Sequence, residues 1–308
     1  MIIDLHCDHL YKLQHRTNPM LDTSIERLLK GRVQIQAFAL FIEPHLSSNE
    51  AYQKILGQIE LFHKHVLSHP QVVWIRKWED LEAMDEEHIG AFLTLEGVDC
   101  IGNDLDKLHQ LLDAGVLSVG LTWNPANLAA DGCEEPRGAG LTKFGRDIIE
   151  VLNHRGILTD VAHLAEAGFW EVLELAKYPI VSHASARALC DHPRNLTDKQ
   201  INALIERKIP LHLVFYPPFL TGREDATVDD MIRHLNHILA LGGEDIVAFG
   251  SDFDGIEFKV TGLEHAAQFQ NLMTRLSDEL TSIQLEKISH ENFRSYITRK
   301  FKKRDDRS

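Results

Sequence analysis

The feature that most constrains this chain is its rhythm: eight short apolar or alternating runs, most of them followed by a longer segment of helical spacing. The runs fall at 2–6, 33–42, 91–95, 117–122, 157–161, 180–183, 209–215 and 246–250. Between them, 51–66, 105–112, 143–152, 166–176, 198–205 and 228–241 carry apolar positions at the three/four spacing of an amphipathic helix. Thr197 and Thr227 stand where N-caps belong, and Gly115 and Gly156 where a helix ends before the next strand. Eight β units over about 250 residues predict a (β/α)8 barrel of the TIM type. The competing architecture is a doubly wound open sheet. It loses support because the first run passes straight into HCDHL, with no glycine-rich phosphate fingerprint. No repeat, low-complexity tract or Pro/Ser-rich linker divides the chain, so residues 1–308 are expected to form one barrel domain.

Charge and cysteine usage narrow the function classes. Lys and Arg number 32 against 46 Asp and Glu, a formal charge of −14. A phosphate-tracking surface needs the opposite sign, so no nucleic-acid partner is expected, and anionic lipid is likewise disfavoured. No apolar run approaches the roughly 18 residues of a membrane span. The start, MIIDLHCDHL, lacks a basic leader, and the basic end, ITRKFKKRDDRS, is not a lipid-anchor signal. Cys7, Cys100, Cys133 and Cys190 stand apart without a CxxC pair. The expectation is a cytoplasmic protein with reduced thiols and no membrane partner.

Ligand-type side chains collect at the strand ends. His6 and Asp8 form HxD at the first, and i and i+2 of an extended chain share a face, with Cys7 turned away. Glu96 follows the third strand, His163 the fifth and Asp252 the eighth, and His183 ends the sixth. A parallel barrel gathers all these ends at one face, where barrel enzymes carry their chemistry. One such residue is ordinarily a turn or packing residue. Five coincident polar intrusions at one mouth are costly without a common ligand. Three histidines and two or three carboxylates suit two borderline ions such as zinc, with a carboxylate bridging them. Water held between such ions becomes a nucleophile near neutral pH, and a nearby carboxylate can move its proton, so hydrolysis is the implied reaction. His63, His65, His109, His234 and His237 lie on helical segments among charged residues and are expected at the surface. No lysine ends a strand, which removes support for Schiff-base chemistry or a carbamylated-lysine bridge.

The motifs DLHCDHL, LTLEGVD, LTDVAHL, VSHASARALCDHPRN, AFGSDFDG and HENF resemble those of the membrane dipeptidase family of amidohydrolases, in order and spacing along nearly the whole chain. The resemblance implies a binuclear zinc centre, two Zn2+ per chain, that hydrolyses small dipeptides through a metal-bridging hydroxide. It assigns His6 and Asp8 to the first ion, His163 and His183 to the second, Glu96 to the bridge and Asp252 to proton transfer. Asp254 is the alternative for that last role, its other reading being a loop carboxylate capping backbone amides. Arg194 matches the arginine that holds the substrate carboxylate, a task suited to a guanidinium fork. The chain departs from animal members where they carry an oxyanion-contacting histidine: Trp123 stands there, with Asn124 beside it as a candidate donor. Tyr216 is a candidate for the pocket wall. The family tolerates a D-residue at the C-terminal side, and a homodimer is expected. The rivals are another amidohydrolase activity on the same centre (an N-acyl amino acid, lactone or cyclic amide) and a non-catalytic barrel that only binds.

Overall fold

The computed structural model describes residues 1–85 and 87–301, so the end of the basic C-terminal tail lies outside the described residues. Eight strands form its centre: β1 (Ile2–Asp4), β2 (Val33–Phe41), β3 (Ile89–Glu96), β4 (Val116–Gly120), β5 (Leu158–Asp160), β6 (Pro179–Ala184), β7 (Leu211–Leu213) and β8 (Val247–Phe249). Each pairs in parallel with the next, and β8 returns to β1 through Phe249 and Asp4. The sheet is therefore closed, a (β/α)8 barrel, and the open doubly wound alternative falls away. Every apolar run contains a strand. The first, fifth, seventh and eighth strands, three residues each, are shorter than their runs.

All nine residues of β2 are buried, as expected of a parallel strand covered on both faces. Helices form at each of the six expected segments: Ser48–Leu61, Leu105–Asp113, Lys143–Arg155, Glu166–Leu175, Asp198–Arg207 and Val228–Ala240. Thr197 and Thr227 cap theirs reciprocally with Gln200 and Asp230. Gly156 terminates another in the left-handed region at φ 68°. The sequence reading did not include the helices His9–His15 and Ile25–Gly31, each of seven residues and too short to display a period. It also did not include Val72–Trp74, an outer strand paired with the start of β3 before β4 joins that strand at Leu93.

The two ends of the barrel are treated differently. The helix Asn292–Phe301 reaches the N-terminal ends of the strands. Asn292 Nδ2 donates to the Val247 and Glu244 carbonyls, both at 2.8 Å, and Tyr296 donates its hydroxyl to Pro179 O at 2.6 Å. The HENF segment is therefore a structural clamp on that end, and the open end is the one where the strands terminate.

One surface expectation is overturned. His234 is fully buried, taking Ala186 N on Nδ1 at 3.1 Å and facing Leu220 O through Nε2 at 2.9 Å. It shares an i, i+3, i+4 stripe with buried Met231, Leu235 and Ile238, so helical periodicity outranks the charged neighbours.

Two stability predictions follow from these contacts. A Cβ on Gly250 would lie 1.9 Å from Ser182 O and 3.0 Å from His212 Cβ, so Gly250→Ala is expected to cost about 1–3 kcal/mol in denaturant melts. His212 is fully buried, Nδ1 is 2.6 Å from Val181 O, and Nε2 has no partner. Burial lowers its pKa to about 4, against the opposing Val181 hydrogen bond. The unfolded chain takes up this proton near pH 6.5 while the folded chain refuses it. Stability should therefore fall as pH drops from about 6.5 to 4, with a shallower fall in His212→Gln. Identical slopes in the two proteins would remove His212 from the acid response.

Candidate active site

The loops at the strand C-terminal ends bring the six expected ligand and proton-transfer residues together. His6 and Asp8, 2% and 4% exposed, lie just past β1 with His6 Nε2 at 3.4 Å from Asp8 Oδ2. Cys7 between them turns away and donates its thiol to Ala37 O at 3.3 Å, as the i, i+2 rule requires. Glu96 closes β3 and faces two ways. Its Oε2 is 3.5 Å from His6 Nε2, and its Oε1 is 2.8 Å from His163 Nε2 and 3.8 Å from His183 Nε2. Asp252 Oδ1 stands 3.8 Å from His6 Nε2.

The hydrogen-bond pattern fixes which nitrogens carry lone pairs. Asn124 Nδ2 donates to Glu134 Oε1 at 3.0 Å, and a carboxylate only accepts, so Asn124 Oδ1 must be the atom 2.7 Å from His163 Nδ1. His163 Nδ1 therefore donates, and its Nε2 lone pair points at Glu96 Oε1 and at His183 Nε2, 2.9 Å away. Two acceptors, Glu96 Oε1 and His163 Nε2, facing one another at 2.8 Å repel unless a cation lies between them. His6 Nε2 and Asp8 Oδ1 are buried without any hydrogen-bond partner. The protonation balance tells the same story. Burial pushes the Asp252 carboxyl well up, with Asp8 and Glu96 adding to it against His6, and it pushes Asp8 up beside Glu96. Burial also depresses His183 and His163, helped by Arg194. His6 goes the other way: despite burial, Glu96 and Asp8 hold its proton, and the charge of His6 in turn overcomes burial to keep Glu96 ionised. Two trios, His6–Glu96–His183 and His6–Asp8–Asp252, have donor atoms within 4.8 Å of one another. The donor set and its orphaned atoms fit divalent cations.

A second layer of carboxylates holds this arrangement. Asp4, fully buried, accepts from Ser251 N at 2.7 Å and Ser251 Oγ at 2.6 Å, tying the start of the Asp252 loop to β1. Asp160 Oδ1 accepts from Ala162 N and Ser182 N, fixing the backbone beside His163 and His183. Ser182 Oγ lies 2.7 Å from His183 Nδ1. His163, Asp252 and Asp254 have φ of 67°, 65° and 70°, a left-handed conformation uncommon outside glycine and found at sites whose surroundings over-determine them. Gly255 leaves room for the same carboxylates: a Cβ there would sit 2.1 Å from Asp8 Oδ2 and 2.9 Å from Asp252 Oδ1.

Asp254, the alternative proton carrier, is saturated instead. It accepts from Asp22 N, Thr23 N, Thr23 Oγ1 and Lys12 Nζ at 2.5–3.1 Å, a loop-capping carboxylate. Arg194 is 3% exposed and set back from the pocket wall, donating Nη2 to His183 O at 3.0 Å, stacked over Phe219, with Nε unpartnered. Among the described residues no carboxylate pairs with it. Tyr216, Asn124 and Trp123 line the mouth, a cavity of about 510 Å³ that also exposes Asp8, Glu96 and Asp252. Sequence reasoning did not identify Glu134, Ser182 or the roles of Asp4 and Asp160, since nothing in their spacing separates a strand-end clamp from a turn residue.

The model of the membrane dipeptidase family (Peptidase family M19) matches residues 1–303. An uncharacterized dipeptidase of Schizosaccharomyces pombe is 29% identical over 311 residues, covering 92% of this chain and 76% of the relative. Dipeptidase aclJ of Aspergillus oryzae is 28% identical over 298 residues, covering 90% and 69%. A metallo peptidase of Rhodobacter sphaeroides, solved with a phosphinate mimic of the dipeptide L-Ala-D-Ala, superposes with a TM-score of 0.89 at 22% identity, covering 97% of this chain and 99% of that one. Closed barrel, strand-end donors and full-length family match agree: the chain belongs to the membrane dipeptidase family, Peptidase family M19, and is a metallo-dipeptidase of that family.

Proposed function

We propose that the protein cleaves dipeptides to free amino acids at a binuclear zinc centre, and that the observation carrying this reading is the two-faced placement of Glu96. His6 and Asp8 would hold one ion, His163 and His183 the other, and Glu96 would lie between them, one oxygen toward each pair. When bound, the ions supply Lewis acidity that polarises the scissile carbonyl and makes water nucleophilic near neutral pH. Asp252 would take the proton from the attacking water and deliver it to the departing amine nitrogen, a role suited to its place at the pocket surface, 3.8 Å from His6 Nε2. Arg194 binds the substrate carboxylate with a guanidinium that has no carboxylate partner of its own. Tyr216 shapes the wall on that side. Asn124 spends its oxygen on His163 Nδ1, so we assign it to orienting that ring rather than to the oxyanion.

A D-residue at the C-terminal position is supported by the ligand of the Rhodobacter sphaeroides relative. The homodimer and the cytoplasmic setting rest on the family pattern and on four free thiols. Among the described residues no helix is long and apolar enough to cross a membrane.

Three outcomes test the assignment. The zinc-loaded chain should hydrolyse L,L- and L,D-dipeptides and leave N-acyl amino acids, lactones and cyclic amides largely untouched; the reverse order would favour the rival amidohydrolase reading. Asp252→Asn should keep its metal and its melting temperature while kcat falls about 10²–10⁴-fold. Asn124→Leu should release metal to a chelator at about 10–100-fold lower competitor concentration. A variant with unchanged metal retention and reduced kcat would return Asn124 to the oxyanion.

A further inference from the structure

The mouth of the pocket carries a charge pattern that catalysis does not use. Asp8, Glu96 and Asp252 belong to the centre, but Glu134 and Glu257 also line the cavity, are exposed, and pair with no cation among the described residues. Glu257 has no hydrogen-bond partner there either, and one oxygen of Glu134 remains after its bond to Asn124. A third carboxylate, Glu43, reaches the wall through Tyr11, which donates its hydroxyl to Glu43 Oε1 at 2.7 Å. Among the described residues no lysine or arginine lines the cavity.

Aromatic rings line the same cavity as Glu134 and Glu257. Phe41 and Trp123 form one wall with ring centroids 5.5 Å apart, and Tyr216 and Phe219 another at 4.9 Å. Carboxylates and ring faces in one cavity recognise a cation twice over, by charge and through the aromatic quadrupole. Glu134 and Glu257 stand apart from the metal-ligand set, so the ions do not account for their charge at the cavity wall. The free ammonium common to all dipeptides needs one anion, and the mouth presents more than one.

We infer that this member selects dipeptides bearing a cationic, lysine- or arginine-like side chain, with Glu257 the specificity-determining residue. The inference rests on the dipeptidase reading above. It also gives the chain's −14 charge a use, since such a dipeptide carries net positive charge and is drawn toward an acidic protein.

The test compares kcat/KM of the zinc-loaded chain for dipeptides with Lys or Arg at either position against norleucine and citrulline analogues and against Glu. The cationic substrates should lead their neutral isosteres by about tenfold or more, chiefly in KM, with the lead shrinking as salt is raised. Glu257→Gln should collapse that ratio and Glu257→Lys should turn it toward Glu-containing dipeptides, both at unchanged melting temperature. Calorimetric binding of lysinamide over norleucinamide to the same protein should follow the same order. Equal kcat/KM across the charge series, or a ratio indifferent to both substitutions, would overturn the inference while leaving the dipeptidase intact. Absence of turnover on every dipeptide would overturn both.

Discussion

The interaction on which the site depends is the confrontation of acceptors at the barrel mouth. Glu96 Oε1 and the lone pair of His163 Nε2 face each other at 2.8 Å, with His183 Nε2 a further 2.9 Å from His163, both histidines buried and the Glu96 side chain 9% exposed. Protons relieve only part of this: His6 holds one against Glu96 and Asp8, while the remaining groups are driven toward their neutral forms. A cluster of this kind fits the metal that the metallo-dipeptidase family implies, since buried charge without a partner is among the costliest features a protein can carry.

The fold answers the cost with a rigid frame. Closure of the sheet fixes the strand ends relative to each other, and Asp4, Asp160 and Asp254 then pin the loops that leave those ends. Each of the three carboxylates accepts at least two hydrogen bonds from backbone or hydroxyl groups, so the left-handed residues His163 and Asp252 have no freedom to relax. At the opposite end Asn292 and Tyr296 clamp strand carbonyls, which leaves one open mouth for substrate. Stability and chemistry are thus divided between the two ends of one barrel.

Much of this was legible in the sequence, for reasons that differ by residue. The barrel could be read because strands and helices differ in period, and the donors because HxD, the Glu of LTLEG and the histidines sit at strand ends that a parallel barrel must gather. His234 was misread because its charged neighbours were weighed above its place on the apolar stripe. The short helices carry fewer than two full turns of pattern. Glu134, Ser182 and Asp160 gain their roles only from contacts across the fold, as does the turn of Asn124 toward His163. Arg194 was visible through its motif, but its seat against His183 and Phe219 was not. The acidic and aromatic wall joins residues from loops far apart in the chain, and no spacing announces it.

The central claim is that the buried donors hold two ions with Glu96 between them. Titrating metal-free protein with zinc, with bound metal counted by elemental analysis, tests it most directly. Two ions per chain are expected in the native protein, and in Glu96→Gln a loss of affinity at both sites, because one carboxylate serves both. Stoichiometric binding of one ion or none, or a Glu96→Gln protein that still binds two with undiminished affinity, would contradict it.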